Sequence, residues 1–120
     1  MSLHRIDRVE NLIKHELSLI LLHKVKDVDL GLLTLTNVKV SPDLRIASVY
    51  VSIFEKEKRE IVLERIKQKT GFIRTELAHK ISLRFVPELR FFLDDTLDYV
   101  EKIEELIKKI HENDQQKNEP

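Results

Sequence analysis

Ala47, Val49, Val51 and Ile53 alternate with Ser48, Tyr50, Ser52 and Phe54, a period of two that predicts a strand with one buried and one open face. Leu32 to Val40 has the aliphatic and β-branched content of a preceding strand. Its parity slips, with Leu33 and Leu35 on one face and Val38 and Val40 on the other, which predicts a β-bulge near Thr36 and Asn37. Ser41-Pro42-Asp43-Leu44 supplies a turn between them, so the two strands read as an antiparallel hairpin. Before the hairpin, Val9, Ile13, Leu17, Ile20 and Leu21 recur at helical spacing. Asp7 and Glu10 have the spacing of a capping box, so a first helix is expected from Asp7 to His23, with a loop over Asp27 to Gly31.

After the hairpin a charged run, Glu55 to Glu60, leads into a helix carrying Val62, Leu63 and Ile66 that stops near Lys69. Gly71 is expected to break or bend it, and a third helix is expected from Phe72 to Arg84, ended by Val86-Pro87 because the residue before proline is pushed out of the helical region. On that helix Ile73, Leu77, Ala78, Ile81 and Phe85 fall on one arc. Glu88 to Leu93 reads as a third strand. Asp95 is placed to cap a last helix with Leu97, Val100, Ile103, Leu106, Ile107 and Ile110 as its apolar stripe. The order α-β-β-α-α-β-α predicts one α+β domain over residues 1–110, with helices on one face of a small sheet. The polar residues 111–120 are expected to form a disordered tail.

Charge divides the chain although its formal net charge is zero. Between Arg65 and Arg90 seven basic residues face two acids, whereas from Phe91 onward nine acids outnumber four lysines, so the helix junction is a candidate surface for a polyanion. Lys67, Lys69, Arg74, Lys80 and Arg84 are the candidate phosphate contacts, with Thr70 and Gly71 shaping the approach. A solvated charged face is the alternative for the lysines. Arg74, beside the apolar arc, either pairs with Glu88, Asp94 or Asp95 or emerges at the helix start to meet a phosphate. Tyr50 and Phe54 point outward by parity, unless a helix covers them. With Phe72 the only aromatic residue at the junction, recognition of RNA backbone and shape is expected more than base stacking.

Other chemistry has little support. The 120 residues contain no cysteine, which removes disulfides and thiolate zinc sites, and two glycines cannot form a dinucleotide or Walker loop. His15-Glu16 lacks the second histidine of a zincin, since position 19 is Leu, and Asp94-Asp95 fits helix capping better than a metal pair. No run approaches the ~18 apolar residues of a membrane span. A cytoplasmic protein without enzymatic activity, cofactor, metal, membrane partner or small-molecule substrate is therefore expected.

Arg8-Val9 with Glu16, Leu35-Thr36-Asn37-Val38, Ser41-Pro42-Asp43-Leu44, Ala47 to Ser52, Gly71-Phe72-Ile73-Arg74, Leu83-Arg84 and Pro87-Glu88-Leu89 resemble, in order and spacing, the ribosome-binding factor A family. The likeness runs from about Arg5 to Ile107. It implies a type II KH-like fold in which an interhelical kink, Ala-x-Gly in the family, replaces the GxxG loop. Here the kink reads Lys69-Thr70-Gly71, a lysine standing where alanine is usual. It also implies a monomer that binds the small (30S) ribosomal subunit and its 16S rRNA late in maturation, assists 5′-end processing, and matters most in the cold. A protein-interaction or dimerisation module, using the hairpin edge or the acidic last helix, is the alternative reading.

Overall fold

The computed structural model describes residues 3–23, 33–82 and 86–118. The expected loop at Asp27 to Gly31 and the site residue Arg84 lie outside them. Among the described residues, four helices and three strands follow the predicted order: α1 (Leu3–His23), β1 (Leu33–Val40), β2 (Ile46–Ile53), α2 (Arg59–Gln68), α3 (Thr70–Lys80), β3 (Glu88–Leu93) and α4 (Thr96–Asn118), with a 3-10 turn at Lys56–Lys58 before α2. The sheet order is β1-β2-β3. β1 and β2 are antiparallel, whereas β3 returns through the α2–α3 crossover and lies parallel to β2.

Alternation decides which face is dry. Leu35, Val38, Val40, Ala47, Val49, Val51, Ile53, Leu89 and Phe91 point into one core with α1, α2 and α3. The register shifts between Leu35 and Asn37, so Thr36 is the bulged residue and both halves of β1 keep their apolar side chains inward. The turn after β1 closes by Leu44 N donating to Ser41 O at 2.8 Å. Leu44 takes a positive φ of 61°, a strained conformation for a non-glycine residue, while its side chain packs against the core.

Several expected boundaries change, and the third helix, for one, starts at Thr70 rather than Phe72. The first helix starts at Leu3 rather than Asp7, because Ile6 also packs on the core, and Glu10 is no capping residue: its Oε1 accepts a hydrogen bond from Val40 N at 2.9 Å and ties α1 to the end of β1. The third helix ends at Lys80, with Ile81 extended at φ −118°, ψ 143°, instead of reaching Arg84. The chain must return to the start of β2, where Glu88 N donates to Arg45 O at 2.8 Å. The last helix continues to Asn118 through residues predicted as a tail; Glu, Gln and Lys are good helix formers, so exposure does not oppose a helix there.

α4 is joined to the domain by polar contacts at its foot. Asp94, rather than the predicted Asp95, supplies the side-chain oxygen at the helix start, accepting from Thr96 N at 2.9 Å, while its other oxygen accepts from the bulge hydroxyl Thr36 Oγ1 at 2.6 Å. Arg59 holds the next turn. It forms a two-pronged pair with Asp98, Nη2 lying 3.1 Å from Oδ1, and its Nε donates to Ile53 O at 3.0 Å. Beyond that foot, Tyr99, Val100, Ile103, Leu106, Ile107 and Ile110 are all exposed.

Hydrogen bonds from Thr36 and then Thr96 hold the Asp94 carboxyl below its ordinary pKa, and the Arg59 guanidinium does the same for Asp98. A pKa lowered in the fold means the charged form is bound more tightly there. Its contribution is complete above the unfolded value near ~4 and is lost as pH falls through the lower folded value. Acidification below about pH 4 is therefore expected to loosen the foot of α4 before the sheet melts, read as faster amide exchange over Asp98 to Lys102 with β2 still protected. Asp98→Asn is expected to produce that loosening at neutral pH.

Candidate nucleic-acid interface

The joint between α2 and α3 is one residue long. Lys69 is at once the C-cap of α2 and the N-cap of α3, with φ −91° and ψ 5°. Its amide donates to Arg65 O and Ile66 O at 3.2 and 3.0 Å, and its carbonyl accepts from Ile73 N at 2.9 Å. Thr70 Oγ1 donates to Lys67 O at 2.7 Å, a back-bond of the kind that bends helices. Val62, Ile66, Ile73, Leu77 and Ile81 are all buried, and the seven-residue step from Ile66 to Ile73 carries one apolar stripe across the bend.

Gly71 is not the hinge. It is the second residue of α3, and an added Cβ would meet nothing within 4 Å. The bend is made by Lys69 and Thr70, so Gly71 leaves a bare, exposed stretch of helix beside the cations rather than permitting a special backbone conformation. Gly71→Ala is accordingly expected to stabilise the protein by about 0.5–1 kcal/mol, the usual helix preference for alanine, measured by urea denaturation. If a phosphate backbone approaches there, the same variant binds its target less tightly despite being more stable.

The predicted contacts do not form one compact cluster. Lys67, Lys69, Thr70 and Gly71 come together within a turn and a half of helix, with Lys67 and Gly71 exposed and Lys69 and Thr70 half-buried. Lys80 is also exposed, but it sits at the far end of α3, about 14 Å along the axis from Gly71. Arg74 makes none of the acid pairs expected of it: its Nη2 donates to Val86 O at 2.7 Å and pins α3 to the segment entering β3. The residue is nevertheless exposed, and a single carbonyl occupies only part of the donor fork of a guanidinium. Ala78, predicted on the buried arc, is exposed.

The other face of the sheet, away from the charged joint, carries aromatic side chains. Tyr50 and Phe92 are neighbours across β2 and β3, their rings stacked with centroids 5.5 Å apart and planes 28° from parallel. Strand parity was the available signal for both. Phe54, just past β2, is 73% exposed, so no helix covers it. Among the described residues no group of His, Asp or Glu side chains could hold a metal ion, and no helix is long and apolar enough to cross a membrane.

A mixed three-stranded sheet with helices on one face, and a bent helix pair carrying lysines as its crossover, defines a small α+β domain built to present surfaces. Comparison with known proteins narrows that class. The sequence pattern of the family described as ribosome-binding factor A matches residues 5–107, and the chain belongs to that family. Ribosome-binding factor A of Brevibacillus brevis is 40% identical over 120 residues, covering 99% of each chain. The crystal structure of ribosome-binding factor A from Thermus thermophilus superposes with a TM-score of 0.65 at 28% identity, over 73% of this chain and 94% of that one. A homology model of the Thermus thermophilus ribosome-binding factor A, fitted into the cryo-EM map of a 30S complex, gives a TM-score of 0.59 at 27% identity, over 73% and 93% of the two chains.

Proposed function

We propose that this protein is a non-enzymatic assembly factor that binds the small (30S) ribosomal subunit through its 16S rRNA late in maturation. The observation that carries the reading is family membership over nearly the whole domain, with a relative of the same fold fitted into a 30S complex. The joint adds a physical means. Lys67, Lys69 and Arg74 bring cations to the joint and Lys80 adds one at the far end of α3, with Arg84 counted beside them from the sequence alone, and the bare backbone at Gly71 allows a phosphate chain close approach. Docked there, the domain holds an immature rRNA conformation while the 5′ end is processed. The cold, which deepens misfolded RNA traps, is where such holding matters most.

The test is co-sedimentation of the protein with purified small subunits, large subunits and whole ribosomes over a salt series. Selective pelleting with the small subunit, with log K falling by about 0.7–0.9 per released phosphate contact for each decade of salt, is the expected result. Failure to pellet with mature or precursor small subunits at low salt would overturn the proposal. The dimerisation alternative predicts instead a mass that rises with protein concentration and a weak salt slope.

A further inference from the structure

The open face of the sheet is patterned in rows. Paired residues share a face, so Asn37, Tyr50 and Phe92 form one outward row and Lys39, Ser48 and Arg90 the next. The first row holds the stacked aromatic pair, in which Phe92 is 43% exposed. The second places a cation at each edge of the sheet, one strand spacing to either side of a serine hydroxyl, and both Lys39 and Arg90 are exposed. No described helix packs over these rows, since α1, α2 and α3 all contribute to the core on the opposite face.

We infer that this face binds a short single-stranded RNA segment, with bases stacked on Tyr50 and Phe92 and the flanking phosphates held by Lys39 and Arg90. It extends the RNA reading above to a second surface. A half-buried and an exposed aromatic ring in an open sheet, rimmed by cations and hydroxyls, supply the two interactions such a ligand needs: a π-face for any base and positive charge along the backbone. Because the two rings cover one face of each other, each keeps its outer face for a base, one base to either side of the pair. A double helix presents no free base faces and would touch only the cations.

The charges facing these rows limit the footprint. Glu88 lies 3.4 Å from Arg90 Nη2, an exposed contact that a phosphate can replace. At the other end, Asp94, Asp98 and Glu101 line a cleft of about 530 Å³ at the foot of α4, with Lys56 and Arg59 alongside. Those carboxylates repel a phosphate chain, so the RNA covers the aromatic and cationic rows and stops short of α4, a length of about two to three nucleotides.

The chain has two tyrosines and no tryptophan, which makes the test direct. In the Tyr99→Phe protein Tyr50 is the sole strong fluorophore, and titration with a ten-nucleotide oligouridylate is expected to quench it as the base stacks. Anisotropy with the same oligonucleotide, fluorescein-labelled, is expected to show about ten- to a hundredfold weaker binding for the Tyr50→Leu, Phe92→Leu pair. Tyr50→Phe, which keeps the ring, retains near-parental affinity, and Lys39→Glu with Arg90→Glu lowers it without touching the core. An unchanged Tyr50 signal at saturating RNA, equal affinity of the folded leucine variant, equal competition by a duplex of the same length, or no binding at all would each overturn the inference. Pelleting of the unaltered protein with small subunits reports on the earlier proposal separately, so either can fail alone.

Discussion

Lys67→Glu combined with Lys69→Glu is expected to weaken small-subunit binding about 100-fold at ~0.1 M salt and to flatten its salt dependence. Two lost phosphate contacts remove roughly 1.4–1.8 from the slope of log K against log salt, which alone is about 25- to 60-fold at that ionic strength, and reversal adds repulsion. The backbone bonds of the joint run through Lys69 main-chain atoms and Lys67 is exposed, so the fold is expected to survive the loss of the contact that the half-buried Lys69 side chain makes. A thermal melt of the double variant checks this. Lys80→Glu, about 14 Å from Gly71 along α3, is expected to do less by itself. If affinity and slope both match the unaltered protein across the salt series, the joint is not the interface.

Leu77→Ala is expected to cost about 2–5 kcal/mol, the largest effect on stability proposed for this chain. Leu77 is fully buried on α3, between Ile73 and Ile81 in a stripe that faces α1 and the sheet. Removing three carbons there leaves a cavity bounded by three packed elements, none of which can shift without disturbing the others. Against a typical total of about 5–15 kcal/mol, the variant should unfold at a much lower urea midpoint with a similar slope. Leu77→Met, nearly equal in volume, should cost less than about 1.5 kcal/mol. A loss below about 1 kcal/mol for the alanine variant would mean that α3 is held by its ends instead of its stripe.

Most of the architecture was legible because a two-residue or 3.6-residue period leaves few choices for a half-buried element. The bulge at Thr36 could be located from a slip in parity, since only an extra residue lets Leu35 and Val38 share a face. What failed were features set by distant partners. Glu10 has the spacing of a capping residue, but its use was decided by Val40, thirty residues away. The helical period continued through Ile81 and Phe85 with no glycine to stop it. The end of α3 was set by where β3 must join β2. Gly71 marked the right region for the wrong reason, because a lone glycine suggests a break, whereas the bend came from the Lys69 backbone and the Thr70 hydroxyl. In the site, the exposure of Lys67 and Lys80 could be read from sequence. The engagement of Arg74 with Val86 O could not, as it depends on how the crossover returns.

The parallel placement of β3 also sets an order of events. β1 and β2 meet across a short turn, so their pairing closes a small loop early. The Thr36–Asp94 bond, by contrast, closes a separation of 58 residues, at an entropic cost about 2 kcal/mol greater than for a loop of about five. During synthesis the hairpin can be complete while β3 is still unmade, and Tyr50 then stands without its stacking partner. Phe92 reaches it only when the crossover has folded and β3 has docked. The paired aromatic row is thus a late product of folding, present on finished domains and missing from partial ones.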